Sequence, residues 1–306
     1  MERTLIIINQ KAGRGTPGPA LLKILNVYSS HGLFPEVYLT QSRGDAYRKA
    51  KELAGAYDRI VCYGGDGTLD EVAAGIMKSG SQCTIGYIPA GSTNDFGNSL
   101  KLSKDAAEAA ETTISGKEFM CDIGTMNGKY FAYVAAFGAF TEVSYKTDQD
   151  MKNILGHTAY ILEGAKSLMS IKAHHMVFTM DDEVVEGDFI FGMVSNSASV
   201  GGFKGITGRD IEFDDGVFEV VLVKKTTNPI ELQRVVTALL FQKEDDLVYF
   251  RKVSRLSVMG DEASWTLDGE DGGVHSMVEV LNHKQKMSIM VPDDQQDLME
   301  SGVQNE

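Results

Sequence analysis

Four short apolar runs mark the first third of the chain: Leu5-Ile6-Ile7-Ile8, Val37-Tyr38-Leu39-Thr40, Ile60 to Tyr63, and Thr84 to Pro89. All are too short for a helix, and the unbroken first and third runs are expected to be strands covered on both faces. Helical spacing fills the gaps, with Leu21, Leu22, Leu25 and Val27 after the first run, Asp45 to Tyr57 after the second, and Val72, Ile76 and neighbouring alanines after the third. Repeated strand, helix, strand order predicts parallel βαβ units in a three-layer sheet that binds ligands at the carboxyl ends of its strands. Segments 9 to 13, 40 to 44, 64 to 68 and 90 to 95 all emerge at that edge.

From Glu118 the pattern changes. Met126-Asn127-Gly128-Lys129 is a hairpin signal between Met120 to Thr125 and Tyr130 to Ala136. Val177 to Met180, Phe189 to Ser195, Phe218 to Val223, Arg255 to Val258 and Met287 to Val291 continue an all-β series. The expected architecture is therefore α/β: an N-terminal three-layer parallel-sheet domain over residues 1–120 and a C-terminal antiparallel β-sandwich over 121–289. The tail 290–306 is free to return to the first domain, and its polar, acidic end is expected to be disordered. One helix, Ile154 to Met169, is expected to cover the sheet, with a lipid-facing groove as the alternative.

Composition narrows the functional classes. At 306 residues there is length for two cores, and 43% hydrophobic with 24% charged residues is ordinary for a globular protein. No apolar stretch reaches the roughly 18 residues of a membrane span, and Met1-Glu2-Arg3-Thr4 leads straight into a strand, so a cytoplasmic location is expected. A net charge of −14 argues against nucleic acid as a partner and against adhesion of the whole surface to anionic lipid. Ser144 to His175 is a slightly basic local exception. Cys62, Cys83 and Cys121 lie in apolar surroundings without metal-ligand spacing and read as core thiols.

The chemistry concentrates at Gly64-Gly65-Asp66-Gly67. Three glycines in four positions let a polyphosphate lie against main-chain N–H groups, and Thr68 as N-cap with Glu71 as its capping-box partner aims the loop at a helix N-terminus. Asp66 would repel a phosphate unless a cation or proton mediates, so it reads as a metal contact, or else as a solvated turn residue. Gly91-Ser92-Thr93-Asn94-Asp95 repeats the theme: Gly91 permits close approach, Ser92, Thr93 and Asn94 offer groups for phosphate oxygens, and Asp95 supplies a second carboxylate able to share Mg²⁺ with Asp66. The same loop could equally cap a helix. Gly13-Arg14-Gly15-Thr16-Pro17-Gly18 formally matches a dinucleotide fingerprint, but Pro17 interrupts the helix start and the second strand ends in Thr40-Gln41 rather than an acid.

Two acidic constellations follow in the β region. Asp210 to Phe218 resembles a calcium loop with its glycine one position late, leaving a cation at Asp215 or a plain β-turn open. Asp268-Gly269-Glu270 places two acids around a glycine, which suits general-base work and would serve as well for a hairpin turn.

Taken together, Gly64 to Glu71, Gly91 to Phe96, Phe213-Asp214-Asp215-Gly216-Val217-Phe218 and Asp268-Gly269-Glu270 resemble the soluble diacylglycerol kinase family, which includes bacterial lipid kinases and sphingosine and ceramide kinases. The resemblance implies an ATP site lined by Asn9, Gln10, Lys11, Ala12, Gly13, Thr40, Gly64, Gly65, Asp66, Gly67, Thr68, Leu69, Asp70, Glu71, Gly91, Ser92 and Asn94. Glu270 would be the general base, with Asp66, Asp95 and Asp268 around the catalytic Mg²⁺ and the transferring phosphate. Asp215, with the carbonyls of Glu212 and Val217, would hold a structural Mg²⁺. The implied activity is ATP-dependent phosphorylation of a lipid hydroxyl in a cleft between the two domains. The implied partners are a lipid substrate, a transiently contacted membrane surface and a second copy of the chain. The alternatives are an NAD-kinase-like enzyme with a soluble acceptor and a non-catalytic nucleotide-binding regulator. Two positions depart from the family pattern: Asp70 stands where an asparagine is usual, and Gln10 where a proline is usual.

Overall fold

The computed structural model describes residues 2–12, 17–138, 171–197, 199–200, 203–204 and 211–293. Gly13, the helix expected at Ile154 to Met169 and the end of the acidic tail lie outside the described residues. The four apolar runs form β1 (Thr4–Ile8), β2 (Glu36–Leu39), β3 (Arg59–Gly64) and β4 (Thr84–Pro89), all parallel, in the order β2-β1-β3-β4. Alternate side chains of one strand serve two different cores, because successive Cβ atoms point to opposite faces. Ile6 and Ile8 pack with Ile24, Tyr28, Ala109 and Ala110, which come from helices α1 (Gly18–Ser30) and α5 (Ala106–Ser115). Leu5 and Ile7 pack with Ala46, Ala50, Leu69, Val72 and Ile76 of α2 (Asp45–Leu53) and α3 (Asp66–Ser79). Helices on both faces make this part three-layered, as the unbroken apolar runs require.

The expected hairpin is present between β5 (Lys117–Met126) and β6 (Lys129–Phe131), with Asn127 at φ 49° and Gly128 at φ 78°. Positive φ at both central residues is the turn that matches strand twist, which is why Asn-Gly is found there. A short pair, β10 (Ser199–Val200) and β11 (Phe203–Lys204), stands apart as its own two-stranded sheet. The other antiparallel strands are β7 (Val134–Gly138), β8 (His174–Met180), β9 (Glu183–Ser195), β12 (Phe218–Lys224), β13 (Val248–Val253), β14 (Arg255–Leu267) and β15 (Glu270–Val291). They do not divide into two separately bonded sheets. Strand β9 pairs with both β7 and β8, and so does β14, whose register with β15 shifts between Met259 and Ala263 and again between Trp265 and Thr266. Such bulges bend a long strand and let it serve two neighbours. Trp265, Phe137, Phe178 and Phe189 fill the resulting core.

The boundary expected at residue 120 falls inside a continuous strand. Lys117 to Cys121 of β5 pair with Val291 to Met287, while Ile123 to Met126 pair with His283 to Val280. The end of β15 also runs parallel to β4 at Ile289 and Ile85, so the chain returns to the first sheet just before the tail begins. A helix that the all-β reading missed, Pro229–Phe241, begins at Asn228, whose side chain accepts from Ile230 and Glu231 N–H, and packs Val235 and Ala238 on Ile190, Val223 and Val248. No described helix is long and apolar enough to cross a membrane.

Candidate active site

Two glycine turns meet at the carboxyl edge of the parallel strands. A Cβ on Gly91 would stand 2.6 Å from Gly65 Cα, so the two loops touch backbone to backbone. Ala90 N–H donates to Gly64 O at 2.7 Å, extending the β3–β4 ladder into the turns. Helix α3 starts earlier than the capping-box reading predicts. Gly65 is its N-cap and makes no side-chain cap bond, and Thr68 and Leu69 N–H donate to Gly65 O at 2.9 and 3.1 Å. The N–H groups of Asp66 and Gly67 therefore precede the helical ladder at the positive end of the dipole.

Several side chains expected on phosphates shape the loops. Asn94 accepts from Gly91 N–H at 2.8 Å and donates to Gly91 O at 2.9 Å, using both ends of its amide on its own turn. Asn9 accepts from Lys11 N–H and donates Nδ2 to Thr68 Oγ1, each at 2.9 Å, which ties the first loop to α3. Gln10 Nε2 donates to Thr40 O at 3.2 Å, and Thr40 Oγ1 to Ile8 O at 3.3 Å. Leu69 is fully buried in the core and Ala12 is buried, whereas Lys11 and Ser92 are exposed at the edge. Glu71 does not cap α3. Its carboxylate accepts from Gly44 and Ala46 N–H at 2.7 and 3.1 Å, holding the N-terminus of α2.

Asp66 and Asp95 are brought together: Asp66 Oδ2 accepts from Asp95 N–H at 2.9 Å and Oδ1 from Phe96 N–H at 3.4 Å. Tyr87 Oη lies 3.5 Å from Asp66 Oδ1 and 3.3 Å from Asn94 Oδ1. Burial pushes the Asp66 carboxyl up to about 6, and the charges of Asp95 and Asp268 push the same way against the backbone N–H bonds. A divalent cation beside Asp66 would reverse that shift. Among the described residues no trio of His, Cys, Asp or Glu is placed to hold a metal by itself. Two carboxylates completed by substrate phosphates are the usual way Mg²⁺ is held, and Asp66 with Asp95 fits that donor set.

Asp268 departs from the expectation of a carboxylate at the metal. It is 4% exposed and points inward, accepting from the N–H groups of Ala132, Tyr133 and Val134 at 2.5, 3.0 and 2.8 Å, with Asp70 as a further hydrogen-bond partner. The three backbone bonds hold the turn to the 132–134 segment. Glu270 faces the other way. Its Oε1 lies 3.1 Å from where a Cβ on Gly67 would stand, and its Oε2 forms an ion pair with Arg43.

At the turn expected to hold a structural Mg²⁺, Asp215 is engaged by protein groups. Asp215 Oδ1 accepts from Val217 N–H at 3.0 Å, Oδ2 lies 3.6 Å from Lys252 Nζ, and its carbonyl accepts from Lys284 Nζ at 3.1 Å. Lys252 and Lys284 thus bring two ammonium groups to Asp215. The turn is fixed by Asp122 instead, which accepts from Gly216 and Gln285 N–H at 2.7 and 2.8 Å.

Three participants escaped the sequence reading. Arg43 sits in a loop recognised as reaching the right edge but belonging to no motif. Tyr87 lies mid-strand, where alternation reads it as core. The 132–134 backbone carries no side-chain signal at all.

The chain is similar to known proteins over most of its length. Residues 3–126 match the model of the diacylglycerol kinase catalytic domain. A diacylglycerol kinase of Bacillus subtilis is 34% identical over 279 residues, covering 90% of this chain and 91% of the relative. One of Staphylococcus saprophyticus is 33% identical over 297 residues, covering 96% of each. A crystal structure of a diacylglycerol kinase from Bacillus anthracis superposes with a TM-score of 0.75 over 95% of this chain and 97% of that one, and at 22% identity it speaks to the fold alone. A lipid-kinase relationship that spans nearly the whole length, and includes both glycine turns and the Asp268–Glu270 turn, leaves one assignment: the chain belongs to the diacylglycerol kinase family.

Proposed function

We propose that the protein transfers the γ-phosphate of ATP to the hydroxyl of a lipid such as diacylglycerol, with Glu270 as the general base. The observation that carries this reading is the position of Glu270 Oε1 over Gly67, the residue that follows Asp66 of the Asp66–Asp95 pair. The acceptor hydroxyl gives its proton to Glu270 as its oxygen bonds to the γ-phosphorus. The bond from that phosphorus to the β–γ bridging oxygen breaks, and ADP leaves. Backbone N–H groups at Gly65 to Gly67 face the phosphates from a fixed frame, which lowers the reorganisation needed as charge shifts. Asp66 and Asp95 would hold Mg²⁺, whose positive charge offsets that of the phosphates when bound. Arg43, paired with Glu270 Oε2, orients the base and leaves Oε1 for the hydroxyl.

In this reading residues 1–120 bind ATP, 121–289 form the lipid-substrate domain, and the reaction takes place in the cleft between them. The enzyme works from the cytoplasm and meets the membrane surface only to collect its substrate. The test is incubation with labelled ATP and Mg²⁺ in the presence of diacylglycerol in mixed micelles, or of NAD. Label in the lipid supports the proposal. Label in NAD, or ATP binding with no acceptor labelled, replaces it with a soluble-acceptor kinase or a non-catalytic regulator.

A further inference from the structure

The Asp268 turn shows how the base is held. Leu267 pairs with Glu270 across it, and Asp268 (φ 50°) and Gly269 (φ 81°) both lie in the left-handed region, as a two-residue hairpin turn requires. Three backbone N–H groups hold the Asp268 carboxylate, and the fourth partner is Asp70 from the inner face of α3. Two carboxylates cannot share a hydrogen bond without a proton between them. With three donors already on Asp268, the negative charge resides there and the proton on Asp70. Asp70 Oδ1 is buried with no N–H or O–H donor to it among the described residues, a position very costly for a charged carboxylate. An asparagine would offer an amide N–H to the same oxygen. An aspartate can do so only while protonated.

We propose that Asp70 is a neutral carboxylic acid that donates its proton to Asp268, and that this bond fixes the turn that aims Glu270 at Gly67. Asp70 is thus a positioning residue, and this chain, unlike one with asparagine, loses that bond as pH rises. The part concerning Glu270 rests on its reading as the base; the protonation of Asp70 does not. The groups around Asp70 favour the neutral form. Asp268 and Glu270 face it from the β14–β15 turn, and Glu71 adds charge from its own helix. Arg43 is paired with Glu270, and Lys129 of β6 reaches Gly272 O at 3.4 Å.

The test compares wild type with Asp70→Asn in melting temperature against pH, without nucleotide. A raised carboxyl stabilises the fold below its unfolded pKa and loses that contribution as pH rises through the folded value. The wild type should therefore fall progressively below Asp70→Asn with rising pH, and parallel curves would overturn the proposal. Infrared difference spectra give a second reading. A protonated-carboxyl band should persist above the pH at which Asp66 and Glu219, raised to about 6 and about 7, have ionised. Absence of that band in the wild type overturns the protonated Asp70 even if the variant fails to fold. In turnover, Asp70→Ala should lower kcat about tenfold or more with little change in KM for ATP, and Asp70→Asn should recover most of it. If the stability and infrared results hold but Asp70→Ala leaves kcat intact, the protonated pair stands and its role in aiming Glu270 is overturned, whereas failure of Glu270 as the base would show as an unslowed chemical step in Glu270→Gln.

Discussion

Gly67 and Glu270 are separated by about two thirds of the chain, yet Glu270 Oε1 lies 3.1 Å from the point a Gly67 Cβ would occupy. A methyl group there must displace the carboxylate. Gly67→Ala should lower kcat by roughly tenfold to a hundredfold through misplacement of the base. Stability should hold or rise by up to about 1 kcal/mol, because alanine suits a helix better than glycine. Steady-state kinetics and a thermal melt on the same sample check both halves.

Gly91 predicts the opposite balance. Its Cβ would meet Gly65 Cα at 2.6 Å and Asn94 Oδ1 at 2.8 Å, and backbone cannot yield as a flexible side chain can. Gly91→Ala should cost about 1–3 kcal/mol of stability by overpacking and should weaken ATP binding by parting the two turns. Chemical denaturation and calorimetric titration with ATP measure the two effects.

Asp66 carries a pH signature. Its pKa rises from the ordinary 3.8 to about 6, chiefly through burial, so its favourable contribution to folding is present at low pH and is lost as pH climbs through about 6. Without divalent cation, Asp66→Asn should match the wild type below about pH 4 and melt higher than it above about pH 6. Adding Mg²⁺ and ATP should raise the wild-type melt more than that of the variant.

Glu71 is expected to matter for stability through α2. Replacing it with alanine removes the acceptor for Gly44 and Ala46 N–H and should cost on the order of 1–2 kcal/mol, the usual loss for a helix cap. A urea melt measures it.

These contrasts show which features the sequence could carry. The parallel strands were legible because Leu5 to Ile8 and Ile60 to Tyr63 are uninterrupted apolar runs, which only two covered faces explain. The glycine turns were legible because no side chain fits where Gly65 and Gly91 touch. The inward turn of Asp268 was not, because an acid beside a glycine reads as a solvated turn and its partners at Ala132 to Val134 are backbone groups more than a hundred residues away. Asn9, Thr68 and Asn94 were read as ligand contacts because amides and hydroxyls serve phosphates and local turns equally well, and only coordinates show where the hydrogen bonds go. The Pro229–Phe241 helix was signalled by Asn228-Pro229 at its start, and was lost in the run of strands around it.

The claim on which the account turns is that Glu270 acts in the chemical step and not in holding the nucleotide. The direct measurement is ATP affinity by calorimetry beside single-turnover phosphorylation of diacylglycerol, for wild type and Glu270→Gln. The account predicts ATP affinity within about threefold of wild type and a chemical step slowed by roughly a hundredfold or more. A variant that phosphorylates lipid at the wild-type rate, or that loses turnover only in proportion to lost ATP binding, would contradict it.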